Sequence, residues 1–223
     1  MKLSLMEWNA RQKVLRHDLE KGQNFQRTIT LFLEQHAMVH SSEMIQSDYT
    51  SFADEIWEDI TEESVRRIPQ NEDYSIAWVI WHMARIEDIT MNMLVAGTPQ
   101  LATSGNWLAR INSPVVDSGN AMHIEAVRQL SDDVDIAAVR AYRNGVGRRT
   151  REIVQDLRLE DLKRKMTAKD IQQVLDQGAV VEEARGIVNY WSKRTVAGLL
   201  LMPPTRHNMI HINQALRIKR RRI

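Results

Sequence analysis

Ser75-Ile76-Ala77-Trp78-Val79-Ile80-Trp81-His82-Met83-Ala84-Arg85-Ile86-Glu87-Asp88 is the stretch on which the fold class turns. Apolar side chains lie almost all round its first half, and Ile89, Met93 and Leu94 carry the pattern on toward Ala96. A helix that is apolar on every side has to be enclosed by other elements, so this segment is expected to be the central, most buried helix of a helical assembly. Gly97 and Pro99 stop it, because glycine takes the left-handed conformation after a helix and proline cannot extend one.

The flanking sequence supplies the elements that would enclose it. Upstream, Phe25, Ile29, Phe32, Leu33, Met38 and Ile45 recur at a helical period from Asn24 to about Ile45. Short helical turns are expected after Ser51 and over Thr61-Glu62-Glu63-Ser64, before Pro69. Residues 1–22 read as an amphipathic N-terminal helical arm ending at Gly22, and residues 23–223 as one helical bundle domain. Downstream, residues 98–120 form an irregular connection with a short helical piece at 106–111. A connector of that length is the kind that contributes to a site or an interface. A helix from about His123 to Leu130 follows. With Ser131-Asp132-Asp133 as its cap, a long helix then runs to about Leu157, where Gly145 and Gly147 mark a bend or a close helix approach. Residues 169–175 and an amphipathic helix over 180–202 lead to Met202-Pro203-Pro204, which is expected to open the final helix. No stretch alternates with period two for long enough to be a strand. The fold class is therefore all-α, a helical bundle with additional short helices.

Composition narrows the chemistry. The chain of 223 residues, 43% hydrophobic and 26% charged, is ordinary for a globular protein. It has no cysteine, which removes disulfides, zinc knuckles and thiol nucleophiles, so any metal must be held by nitrogen and oxygen. The first eight residues meet charge too early for a signal-peptide core, and no apolar run approaches a membrane span. A cytoplasmic location is the expectation. Arg217, Lys219, Arg220, Arg221 and Arg222 crowd the end of the sequence, and without them the formal charge of +1 becomes −4. An acidic body argues against a broad nucleic-acid face, so the cations read as a solvated helix end that suits the C-terminal dipole.

Histidines carry the strongest chemical signal. His207 and His211 stand four residues apart in Met202-Pro203-Pro204-Thr205-Arg206-His207-Asn208-Met209-Ile210-His211. On a helix that spacing presents two imidazoles from one face to a single ion. With Pro204 opening the helix, His207 would lie near the positive end of the dipole, which disfavours imidazolium and favours the neutral, metal-binding form. His82, between Trp78 and Ile86, is either a hydrogen-bonded core residue or a third ligand from the buried helix. His36 and His40 repeat the spacing. Of the two, His40 is preferred as an additional ligand, one of the pair being a polar surface residue and the other packing near the site. His17 and His123 read as surface residues. Trp78, Trp81 and Trp107 are candidates to wall a pocket. Arg85, one turn from His82, would pair with an anionic group of a cosubstrate or with a nearby carboxylate. Neither Glu87 nor Asp88 falls on the His82 face, and neither is assigned as a ligand or base.

Trp81-His82-Met83-Ala84-Arg85-Ile86-Glu87-Asp88, followed at this separation by residues 203–215, resembles the DinB/YfiT-like metal-binding four-helix bundles over approximately residues 25–220. The resemblance implies an up-and-down four-helix bundle, a three-histidine site on His82, His207 and His211 for a divalent metal such as nickel or zinc, and often a homodimer. Some members are thiol-dependent S-transferases, so it also implies a low-molecular-weight thiol cosubstrate attacking a small electrophile. The alternatives are a metal-dependent hydrolase, or a non-catalytic stress-response or interaction protein whose metal is structural or absent. The 98–120 connector, the short helices around 159–178 and the basic tail depart from the minimal fold.

Overall fold

A computed structural model describes residues 4–45 and 50–221. The central helix, α4, begins where Ser75 caps it: the serine Oγ accepts from the Trp78 N–H at 3.0 Å. It spans Ile76–Asp88 and continues as a wider π-helical segment over Ile89–Ala96, and Gly97 closes it at φ +66°. Every residue from Ile76 to Val95 is buried. At the change of pitch the Thr90 hydroxyl donates to the carbonyls of Ile86 at 2.7 Å and Glu87 at 3.3 Å. A side chain that competes for helix carbonyls in this way loosens the regular ladder.

Three other long helices surround α4: α2 (Phe25–Ala37), α8 (Ile136–Asp156) and α12 (Asn208–Arg220). α4 packs directly on α8 and α12, and α2 packs on α8. The N-terminal helix α1 (Leu5–Lys21) starts with a Ser4–Glu7 capping box and lies along α2, burying Trp8, Leu15 and Leu19. A reciprocal pair fixes its height there. Trp8 Nε1 donates to the Gln35 carbonyl at 3.3 Å, and Gln35 Nε2 donates back to the Trp8 carbonyl at 2.9 Å. The remaining helices are short: α3 (Glu62–Arg66), α5 (Leu101–Ser104), α6 (Trp107–Ile111), α7 (Ile124–Asp133), α9 (Ala168–Asp176), α10 (Arg185–Ser192) and α11 (Val196–Leu200). Among the described residues there is no strand, only an isolated bridge between Lys165 and Thr195. No described helix is long and apolar enough to cross a membrane.

The hydrophobic core falls into two clusters that meet along α4. One gathers the α4 residues Ile76 to Ala84 with α7, α8 and α12. The other gathers Ile86 and the π-helical segment with α1, α2 and residues 153–200. Between them, Arg85, Glu87 and Asp88 are fully buried. Charges without water have to be matched by partners from neighbouring helices, and here each one is.

Several elements differ from the expectations. α2 ends at Ala37, short of His40, because the chain turns there: the Phe52 N–H donates to the Met38 carbonyl at 3.0 Å, and Arg143 Nη2 donates to the Val39 carbonyl. α7 extends through Asp133, and the cap of α8 is Asp135, whose carboxylate accepts from the Ala138 N–H at 2.8 Å. Residues 180–202 are broken, because Thr195 starts a new helix by accepting from the Gly198 N–H. The prolines do not open the last helix. Met202–His207 is a π-helical segment that runs from α11 into α12, so His207 is interior. Thr205 Oγ1 supplies a donor to the Leu200 carbonyl at 3.1 Å, next to prolines that have no N–H to give. The basic end is docked, not merely solvated: Arg217 and Arg221 each approach Glu72 at 3.1 Å, and Lys219 Nζ donates to the Glu55 carbonyl at 2.7 Å. Arg222 lies outside the described residues.

Candidate metal centre

His82 projects from α4, while His207 and His211 project from the last turn of the π-helical segment and the first turn of α12. Their ring centroids lie 4.4 Å apart for His207–His211, 4.9 Å for His82–His211 and 5.2 Å for His82–His207. One nitrogen from each falls within 4.8 Å of the other two, a grouping that could hold a metal ion after a small inward shift of the rings. Trp78, one turn before His82, stacks on its ring at 4.5 Å and 9°, and Tyr74 stacks behind Trp78 at 3.9 Å.

The second nitrogens decide which atoms remain for an ion. His82 Nδ1 lies 2.7 Å from the Ser118 carbonyl, so it carries the proton and leaves Nε2 bare. His211 Nδ1 is fixed likewise by Gln214 Oε1 at 2.8 Å. His207 Nδ1 is buried with no hydrogen-bond partner. Outer contacts of this kind set the tautomer and aim the ligand nitrogen. Burial pushes the His82 imidazolium down to about 3, with His211 adding to the effect. Burial also holds His207 well below the usual histidine range and lowers His211. Desolvation, and not a helix dipole, therefore keeps His207 neutral. Three neutral imidazoles, two with fixed tautomers, form a donor set that fits a divalent cation.

Ser118 reaches the site because the connector turns sharply at Gly119. There φ is +76°, and a Cβ would stand 2.5 Å from the Trp81 ring. Arg85 ties down the same connector. Its guanidinium donates to Tyr142 Oη at 3.0 Å, to Gln100 Oε1 at 2.7 Å and to the Val116 and Asp117 carbonyls, and it stands 3.5 Å from Asp88. Fully buried and occupied by these partners, it positions the connector and has nothing left for an anionic cosubstrate. Trp78 is the one tryptophan of the expected three that touches the histidines. Trp81 is enclosed against Gly119, and Trp107 packs on Tyr142. His17 and His123 are exposed.

A second group with ligand atoms inside the same span is His36, His40 and Glu87. Neither histidine is a surface residue: both are fully buried, and neither joins the three-histidine cluster. Glu87 Oε1 accepts from His36 Nε2 at 2.8 Å and Thr150 Oγ1 at 2.7 Å, and Oε2 accepts from His40 Nε2 at 2.9 Å and Asn208 Nδ2 at 2.7 Å. Burial alone would raise this carboxyl. The His40 and His36 rings and their hydrogen bonds outweigh it and hold Glu87 well below the carboxylate range. Burial meanwhile pushes His40 down to about 3. The two shifts agree when His40 acts as a neutral N–H donor to an ionised Glu87 carboxylate. Because all four donors already serve Glu87, the group reads as a clasp joining α2, α4, α8 and α12. Sequence reasoning passed over Glu87, Thr150 and Asn208, although an acid inside an otherwise apolar helix is itself a signal that partners are needed.

The family model for the DinB superfamily matches residues 52–215, a region that contains all three clustered histidines. No curated protein matches the chain.

Proposed function

This chain belongs to the DinB superfamily, and from that premise we propose that it binds one divalent cation through His82, His207 and His211 and transfers a low-molecular-weight thiol to a small electrophile. The observation that carries the proposal is the convergence of three neutral imidazoles, two of them with Nδ1 already engaged and Nε2 left bare. A divalent ion such as nickel or zinc would supply the positive charge that lowers the pKa of a nearby thiol. The thiol must come from a cosubstrate, since the chain has no cysteine. In the reaction its sulfur forms a bond to the electrophilic carbon, its proton passes to solvent, and the bond to the leaving group breaks. Ser118 and Gln214 hold the rings in position, and the Trp78–Tyr74 stack shields one side from water. A homodimer, implied by the family resemblance, belongs to the same proposal, and light scattering of the purified protein tests it.

Elemental analysis of the purified protein and of His82→Ala, His207→Ala and His36→Ala variants is the direct test. Metal is expected in the parent and in His36→Ala, and is expected to be lost from the other two with helicity retained. Unchanged metal in His82→Ala refutes the site. One observation favours a second, non-catalytic reading: a cleft of about 810 Å³ beside α1 is lined by none of the three histidines. Cobalt-substituted protein separates the two readings. Its visible spectrum shifts on adding a thiol if a coordination position is open, and stays unchanged if the metal is structural.

A further inference from the structure

The cleft itself, of about 810 Å³, lies between α1 and the α10–α11 region and carries an unusual charge. Lys13, Arg16, Lys163, Lys193, Arg194 and Arg206 line it, against the single acid Glu20. Glu20 is engaged by Arg16 at 3.6 Å. Among the described residues, Lys13, Lys163, Lys193 and Arg206 have no ion pair or hydrogen bond from their side chains. Arg194 lies over the Tyr190 ring at 4.1 Å, and its Nε is buried without a partner. Cations gathered in one concavity repel each other and raise the local positive potential, so a multivalent anion is what this surface lacks.

The shape narrows the ligand further. Buried Trp8, Leu19, Leu162 and Ala197 provide an apolar floor beneath the charged rim. The volume suits a small organic molecule. A concave cleft with a greasy floor does not match a flat bilayer or a duplex. We propose that this cleft binds a phosphorylated small molecule of nucleotide size, with its phosphates on the rim cations and its organic part on the floor and Tyr190. One wall, α1, lies before the family-matched residues 52–215.

The cleft also touches the framework of the metal centre. Gln12 Nε2, on its α1 wall, donates to Thr205 Oγ1 at 3.0 Å, and the lining residue Arg206 immediately precedes His207. The proposal does not rest on the thiol-transfer reading, since the cleft contains none of the histidines.

Calorimetric titration of the full chain with ADP and with pyrophosphate tests it. At about 50 mM salt ADP is expected to bind with Kd of about 10–100 μM and pyrophosphate more weakly, both losing affinity as salt rises. The double variant Lys193→Glu/Arg206→Glu should weaken ADP binding at least about tenfold, the effect of removing two charge contacts. The charge-matched Arg128→Glu/Arg148→Glu, with exposed cations outside the cleft lining, should change it less than about twofold. Metal content and circular dichroism, unchanged in all variants, keep failure of this proposal distinct from failure of the metal site. No heat with either ligand up to millimolar concentration overturns the proposal, as does equal weakening by both double variants. A single-stranded oligonucleotide binding more tightly than ADP also overturns it.

Discussion

Replacing Glu87 by glutamine tests the buried clasp at its centre. The carboxylate accepts four hydrogen bonds, all between 2.7 and 2.9 Å. Glutamine keeps one acceptor oxygen and turns an NH2 group toward two of the four donors, so about two charge-assisted bonds are lost. Each is worth about 1.5–3 kcal/mol. One imidazole can relieve a clash by moving its proton to Nδ1, but His36 Nδ1 and His40 Nδ1 are both buried with no partner, so the relief creates a new unsatisfied donor. The expected cost is about 3–5 kcal/mol, as for breaking other buried charged networks. That is a large part of the roughly 5–15 kcal/mol that holds a typical domain folded. Urea unfolding followed by circular dichroism, with chelator present so that metal does not contribute, gives the number directly. The midpoint should fall while the slope stays constant. Were Glu87 protonated in the parent, glutamine would be nearly isosteric and the cost would drop below about 1 kcal/mol. That result would refute the ionised assignment and the clasp with it.

The close approach of α8 to the His40 turn gives a paired prediction. A Cβ at Gly147 would stand 2.2 Å from Met44 Sδ and 2.7 Å from His40 Nδ1, whereas one at Gly145 meets only Trp107 at 3.6 Å. Thermal melts should show Gly147→Ala destabilising by about 1–3 kcal/mol and Gly145→Ala stabilising by about 0.5–1 kcal/mol, and the same sign for both would contradict the packing. Acid should weaken the metal-free protein from about pH 6.5 downward. Unfolded histidines take up protons below their ordinary 6.5, while folded His40 and His82 resist until about 3, so stability falls across that window by up to about 1.4 kcal/mol per pH unit for each. Above pH 7 these groups add no slope. A melting temperature that is flat between pH 7 and 5 in chelator would show that the rings are not held neutral.

What could be read in advance was whatever local chemistry determines. α4 declares itself through Ser75, its unbroken apolar surface and Gly97. The 207/211 spacing survives on one face although the backbone there is π-helical up to His207. The failures have a common cause in distance along the chain. α2 stops where Arg143, 104 residues away, takes the Val39 carbonyl. The break before α11 accompanies pairing of Lys165 with Thr195. The sequence leaves Arg85 between an anionic cosubstrate and a nearby carboxylate because its partners at Gln100, Val116 and Tyr142 arrive only through tertiary folding. No window centred on residue 40 or 87 contains the groups that give those residues their roles.

The charged layer across the middle of α4 also governs which alignments of the bundle are allowed. Sliding this helix one turn, about 5.4 Å, would leave its greasy positions facing greasy neighbours almost as well as before. It would also drag Arg85, Glu87 and Asp88 away from their seats and into hydrocarbon. Apolar packing tolerates such a slip and unmatched charge does not, so a band of three residues excludes mis-stacked neighbours that oily surfaces alone would admit. The histidine on the same helix thereby reaches the other two in only one vertical alignment.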